Sequence, residues 1–154
     1  MRPFSIILLL FVFWVPQKSV AQSARVIDSL HVLLQDPIQD SVLADVHSDL
    51  YFEWFAHDSD SALTHLMQSI GAGQRAGDIR RLGRGYLNLA NFRWRQGSFL
   101  ASREALVSVA KLLPEINRPV YDATYHIESG ILHFEIAAFD SAIYHYLRAK
   151  DLYL

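Results

Sequence analysis

From residue 22 onward, apolar residues recur at helical spacing almost everywhere, and no stretch sustains the strict alternation of a half-buried strand. The pattern predicts an all-α protein. A short opening helix is expected over 24–35, with Ser23 as N-cap, Ile27, Leu30 and Leu34 on one face, and Asp36-Pro37 as its stop. Two helices follow over 41–56 and 60–75, broken at His57-Asp58-Ser59. Gly71 and Gly73 lie inside the second of these. Each costs about 1 kcal/mol relative to alanine, so this helix either frays early or packs closely against a neighbour. Gly77 then serves as a C-terminal stop and Asp78 as the next N-cap. Further helices are predicted over 79–96 and 99–113, separated by Gly97-Ser98 and ended by Pro114. Pro119 suits a first helical turn, where its missing N–H has no partner to lose. The last two helices are expected from there to about Glu135, and from about Phe139 to Leu154.

These helices repeat. Trp54, Trp94 and Phe134 stand forty residues apart, as do Phe52, Phe92 and Leu132, then Ala62, Ser102 and Ala142, and then Leu66, Leu106 and Tyr146. Ser69, Val109 and Ala149 keep the interval, and so do the turn aromatics Phe99 and Phe139. A fixed period of this size signals stacked copies of one supersecondary unit, none able to bury its apolar face alone. The units are expected at 41–77, 78–117 and 118–154, with 22–40 forming a capping helix and linker over the first open end.

At these positions the chain resembles the tetratricopeptide repeat family. Gly130, Phe139, Ala142, Tyr146 and Ala149 match the family's pattern of a small residue, a turn aromatic, then alanine, a large apolar residue and alanine. Ala90, Gly97, Phe99, Ser102, Leu106 and Pro114 match it more loosely, while Leu50 and Ser59 depart from it and Ala62 fits. The usual unit is about 34 residues, so forty implies longer helices. The resemblance implies a right-handed superhelical solenoid of about three helical hairpins behind a short capping helix. Its concave face would come mainly from the first helix of each hairpin and would take a protein or peptide partner. Exported sensory regions of bacterial sensor kinases and regulators are built in a similar way.

Location is legible at the other end of the chain. Arg2 precedes an apolar run from Phe4 to Val15, and Ser19-Val20-Ala21 offers small residues for cleavage, so 1–21 reads as an export signal. The run is well short of the ~20 residues that span a bilayer, which argues against a permanent anchor and leaves no stable membrane span after cleavage. With no cysteine the chain has neither a lipid-modified N-terminal Cys nor a disulfide, and packing alone must hold it together. Losing Arg2 and Lys18 with the signal leaves a net charge of about −4. No basic stripe follows a nucleic-acid backbone, so DNA and RNA are not expected partners.

Candidate chemistry is sparse. Arg84, Asn88, Asn91 and Arg95 recur at helical spacing along the first helix of the middle unit, a stripe suited to an extended peptide's backbone and a carboxylate. Tyr51, Phe55 and Ile131, at equivalent places in the neighbouring units, would add apolar contacts. The bland alternative is a solvated helix face. Trp54, Trp94 and Phe134 are expected to be core between helices and not a ligand cage. His126 and His133 with Glu128 and Glu135, and His57 and His65 beside Asp58 and Asp60, do not reproduce the His-Glu-x-x-His spacing, so no metal and no cofactor are expected. There is no Gly-rich phosphate loop, no Gly-x-Ser-x-Gly elbow and no cysteine nucleophile. The expected function is therefore an exported, non-enzymatic interaction module of the cell envelope. Two readings compete with it: the leading sensory fragment of a longer kinase or regulator, and a metal-dependent hydrolase using the histidines. Apolar residues near the C-terminus, Tyr146, Leu147, Leu152, Tyr153 and Leu154, point either to missing further units or to self-association through the last helix.

Overall fold

A computed structural model describes residues 20–153. Most of the expected export signal and Leu154 therefore lie outside the described residues. Within them the chain forms seven α-helices and no strand: α1 (Val20–Leu33), α2 (Asp40–Trp54), α3 (Ser59–Arg75), α4 (Ile79–Arg95), α5 (Phe99–Ile116), α6 (Pro119–Glu135) and α7 (Phe139–Tyr153).

The helix ends follow from local chemistry. Asp58 caps α3 by accepting from the Asp60 amide at 3.1 Å, and Asp78 caps α4 by accepting from the amides of Arg80 and Arg81. The connections after α3, α4 and α6 close in the same way, the Asp78, Ser98 and Ala138 amides donating to the Gly73, Arg93 and His133 carbonyls five residues back. That closure needs a left-handed residue just before the donor. Gly77 (φ +63°) and Gly97 (φ +72°) supply it without steric cost, whereas Ala137 (φ +59°) adopts the same conformation carrying a Cβ.

Two sequence expectations fail here. Ser23 is no N-cap; it lies inside α1 and is buried. Pro114 does not end α5, which runs on through it to Ile116. Proline sits only in the last turn, where it forfeits a single backbone bond. The buried Ile116 side chain holds that turn against α4, and Asn117 in the left-handed region ends it by donating to the Leu113 carbonyl at 2.9 Å.

Each helix packs mainly on its sequence neighbour, α2 on α3, α4 on α5 and α6 on α7, while α3 meets α4 and α5 meets α6. Helices α2, α4 and α6 also touch in succession. Small residues permit the close approaches. A Cβ on Gly85 would stand 2.6 Å from Ile70 Cγ1, and one on Gly73 would stand 3.3 Å from the Leu82 amide nitrogen. Gly73 thus answers the question raised by the glycines of α3, which stays helical to Arg75 because it packs closely against α4. Buried hydroxyls add directional ties: Ser69 Oγ donates to the Ala44 carbonyl at 2.7 Å, joining α3 to α2, and Ser102 Oγ to the Ala90 carbonyl at 2.9 Å, joining α5 to α4.

Among the described residues the core divides into three clusters. Ile27, Val46 and Leu50 pack α1 on α2, with Leu30 and Leu34 beside them, so the apolar face expected of α1 is the one buried. Tyr51, Ala62, Leu66, Ile70 and Phe92 form the next, and Ala90, Ala105, Leu106 and Leu132 the third. Trp54 and Trp94 are half-buried against these clusters, as inter-helix packing requires. Phe134 is not core. It is 55% exposed, because among the described residues no helix lies beyond α7 to cover it, and its ring meets that of Phe139 at 5.6 Å.

Candidate functional site

Where α2, α4 and α6 run side by side they enclose an open cleft of about 250 Å³. Tyr51, Phe52 and Phe55 come from α2, Leu87, Asn88 and Asn91 from α4, and Thr124 and Glu128 from α6. Helical spacing explains the set, since residues three and four apart on each helix face the same way. Four of the seven residues singled out in the sequence, Tyr51, Phe55, Asn88 and Asn91, line this cleft. Arg95 sits at its rim, donating through Nε to Asn91 Oδ1 at 3.2 Å, with its guanidinium 5.5 Å from the Phe55 ring centre and 5.1 Å from that of Trp94.

Arg84 and Ile131 are placed differently. Arg84 pairs with Asp45 of α2 at 2.7 Å, inside a separate charged depression where Arg81 also grips Asp45 through both carboxylate oxygens and pairs with its own cap, Asp78. These arginines hold the Asp45 carboxyl below its ordinary value, Arg81 most of all, against the opposing effect of burial. One of the two cationic ends of the predicted stripe is thus committed to a partner thirty-nine residues away. Ile131 is half-buried on α6 and is not among the residues lining the cleft.

Glu128 is the group that the sequence reading did not place here. It reaches into the cleft from α6, accepting from Asn91 Nδ2 at 3.0 Å and from Trp94 Nε1 at 3.0 Å. Burial pushes its carboxyl above the ordinary 4.5, while the two donors and the Arg95 charge pull the other way. A signal for it existed, because Glu128 holds the register of Asn88 one forty-residue interval later, as Thr124 holds that of Arg84. Beside it, Asn88 Nδ2 is buried without a hydrogen-bond partner. An unpaired buried donor is costly, so a carbonyl brought to it would gain what the free protein lacks. The Tyr51 ring is only 2% exposed, and burial raises its hydroxyl to about 12, leaving it neutral across the physiological range. The cleft is thus an aromatic wall facing a short row of amide and carboxylate groups, rimmed by one guanidinium.

The histidines group otherwise than their spacing suggested. His65 faces His47 of α2 with their Nδ1 atoms 3.1 Å apart, and His31 of α1 lies near, whereas His57 lines a different hollow beneath α1. His126 faces His145 of α7, Nδ1 to Nδ1 at 2.9 Å, and the His133 ring stacks on His145 at 5.2 Å. No residue of either group lines the α2/α4/α6 cleft. Among the described residues no three His, Asp or Glu side chains converge on a common ion position, and no described helix is long and apolar enough to cross a membrane. No protein-family model matches the chain, and no curated protein or solved structure is significantly similar to it.

Proposed function

We propose that this chain is an exported interaction module of the tetratricopeptide type, a superhelical stack of three hairpins behind the cap α1, that captures an extended peptide segment in the α2/α4/α6 cleft. The observation that carries this is the pairing of an unpartnered buried donor, Asn88 Nδ2, with an apolar wall of Tyr51, Phe52, Phe55 and Leu87. A peptide satisfies both at once, the Asn88 side chain turning toward the cleft to donate to its carbonyl while an apolar side chain fills the wall. Arg95 at the rim suits a carboxylate on the same segment. The succession of packed helix pairs, with their first helices touching, is the arrangement that such a stack requires.

The site is read as one of binding, its carboxylate being engaged by two donors and the Thr124 hydroxyl beside it donating to the Val120 carbonyl at 2.7 Å. Export to the cell envelope rests on the leader-like segment Arg2 to Ala21.

The test is selection from a displayed random-peptide library against the purified chain, followed by titration of the selected peptides. Phe52→Ala is the informative variant, since Phe52 is 57% exposed and its loss leaves the helices packed. Affinity is expected to fall at least tenfold in Phe52→Ala and in Asn88→Ala, with unchanged helical circular dichroism. Peptides that bind both variants as tightly as the wild type would refute the assignment of the cleft.

A further inference from the structure

Two histidine pairs, each bridging a helical hairpin, bring their Nδ1 atoms close together. His47 (α2) and His65 (α3) bring their Nδ1 atoms to 3.1 Å, and His126 (α6) and His145 (α7) bring theirs to 2.9 Å. His65 and His145 occupy the same register two forty-residue intervals apart, and the middle hairpin carries Ala105 at that position. Two imidazole nitrogens bound to one ion at about 2.0–2.1 Å stand about 2.9 Å apart when they subtend a right angle and about 3.3 Å apart in a tetrahedron. The His126–His145 pair matches the right-angled value, the cis arrangement of tetragonal copper(II) or nickel(II) sites, and the His47–His65 pair lies between the two values.

The surroundings suit an ion. Burial is the main influence that lowers His47 and His145 to about 4 and also lowers His65 and His126, so all four rings are neutral at pH 7. In each pair one Nδ1 donates a hydrogen bond to the other, so an ion bound there replaces that bond, with the donor ring carrying its proton on Nε2 instead. The Arg75 charge near His47 is paired with Asp40 at 2.8 Å, and the Arg148 charge near His126 is opposed by that of Asp122. His47 borders an open hollow of about 410 Å³ between α2 and α3, which gives an ion and its waters access. At the second pair, His133 stacks on His145 with its own Nδ1 buried and unpartnered, an acceptor or donor that a metal-bound water would satisfy.

We propose that His47–His65 and His126–His145 are two binding sites for a late first-row transition-metal ion, copper(II) above nickel(II), each completed by water. An ion there would staple α2 to α3 and α6 to α7. The sites lie apart from the peptide cleft and do not depend on its assignment.

The experiment is titration of the untagged, metal-free chain with copper(II) at pH 7.4, read by electron paramagnetic resonance, with magnesium(II) as control. Two equivalents are expected, each with a spectrum of two nitrogen ligands. His145→Gln should take one equivalent, and the double variant His65→Gln with His145→Gln should take none while keeping its helical circular dichroism. His126→Gln and His47→Gln provide a second route should either glutamine variant misfold. Nickel(II) should raise the melting temperature of the wild type and not that of the double variant. Uptake unchanged in the double variant, no uptake by the wild type, or a spectrum with one nitrogen per ion would each overturn the proposal.

Discussion

Replacing Glu128 by glutamine tests the electrostatics of the cleft without changing its shape. Glu128 accepts from Asn91 Nδ2 through one oxygen at 3.0 Å and from Trp94 Nε1 through the other at 3.0 Å. Glutamine retains one acceptor, so one of these donors must face an NH₂ group. Losing one charge-assisted hydrogen bond costs about 1.5–3 kcal/mol, but burial outweighs the donors at this carboxyl, so relief of the desolvated charge offsets that loss. At pH 7 Glu128→Gln is expected to match the wild type in stability or exceed it by up to about 1 kcal/mol, or about 3–5 °C in melting temperature for a domain of this size. The pH dependence carries the sharper sign. Burial raises the folded Glu128 carboxyl above its ordinary 4.5, so the native state holds this proton more tightly than the unfolded chain does. Stability from this group is then complete below the unfolded value and declines as pH rises through the folded one. Wild type should therefore gain on Glu128→Gln as the pH is lowered from 7.5 to 4.5, measured by urea unfolding at each pH. A wild type that loses ground to Glu128→Gln on acidification would mean that the ionised carboxylate is favoured in the fold, and the description of the cleft as desolvating would be wrong.

Two further outcomes concern packing and backbone. Ala137→Gly should stabilise the chain by about 0.5–1 kcal/mol, because the left-handed conformation at φ +59° burdens alanine and not glycine, even after the greater unfolded-state freedom of glycine is counted; a lower melting temperature would contradict the strain. Ala142→Leu, at a position 2% exposed in α7, should destabilise by about 1–3 kcal/mol through overpacking, and unaltered thermal unfolding would show that α7 is not packed as described.

Much of the architecture was legible because it is encoded locally. Apolar spacing, Asp78 as a cap, Gly77 and Gly97 as stops and Pro119 at a first turn concern residues within a few positions of each other, and the helices they delimit are observed nearly where expected. Pro114 shows the limit of that logic. A local breaker yielded to Ile116, whose burial against α4 depends on residues more than thirty positions away.

The chain alone determined that the fold is helical, where its helices turn, and that polar residues line one face of α4. Only the tertiary structure decided which of those polar groups remain available. Arg84 is engaged by Asp45, Asn91 is joined to Glu128, and Asn88 is left without a partner. The histidine pairs were likewise invisible, because His47 and His65, or His126 and His145, meet across the two helices of a hairpin. The physical reason is the same in each case. Helical periodicity specifies which face of a helix a side chain occupies, but the partner it meets there is set by how the helices pack against one another, which burial and close approach at Gly73 and Gly85 decide.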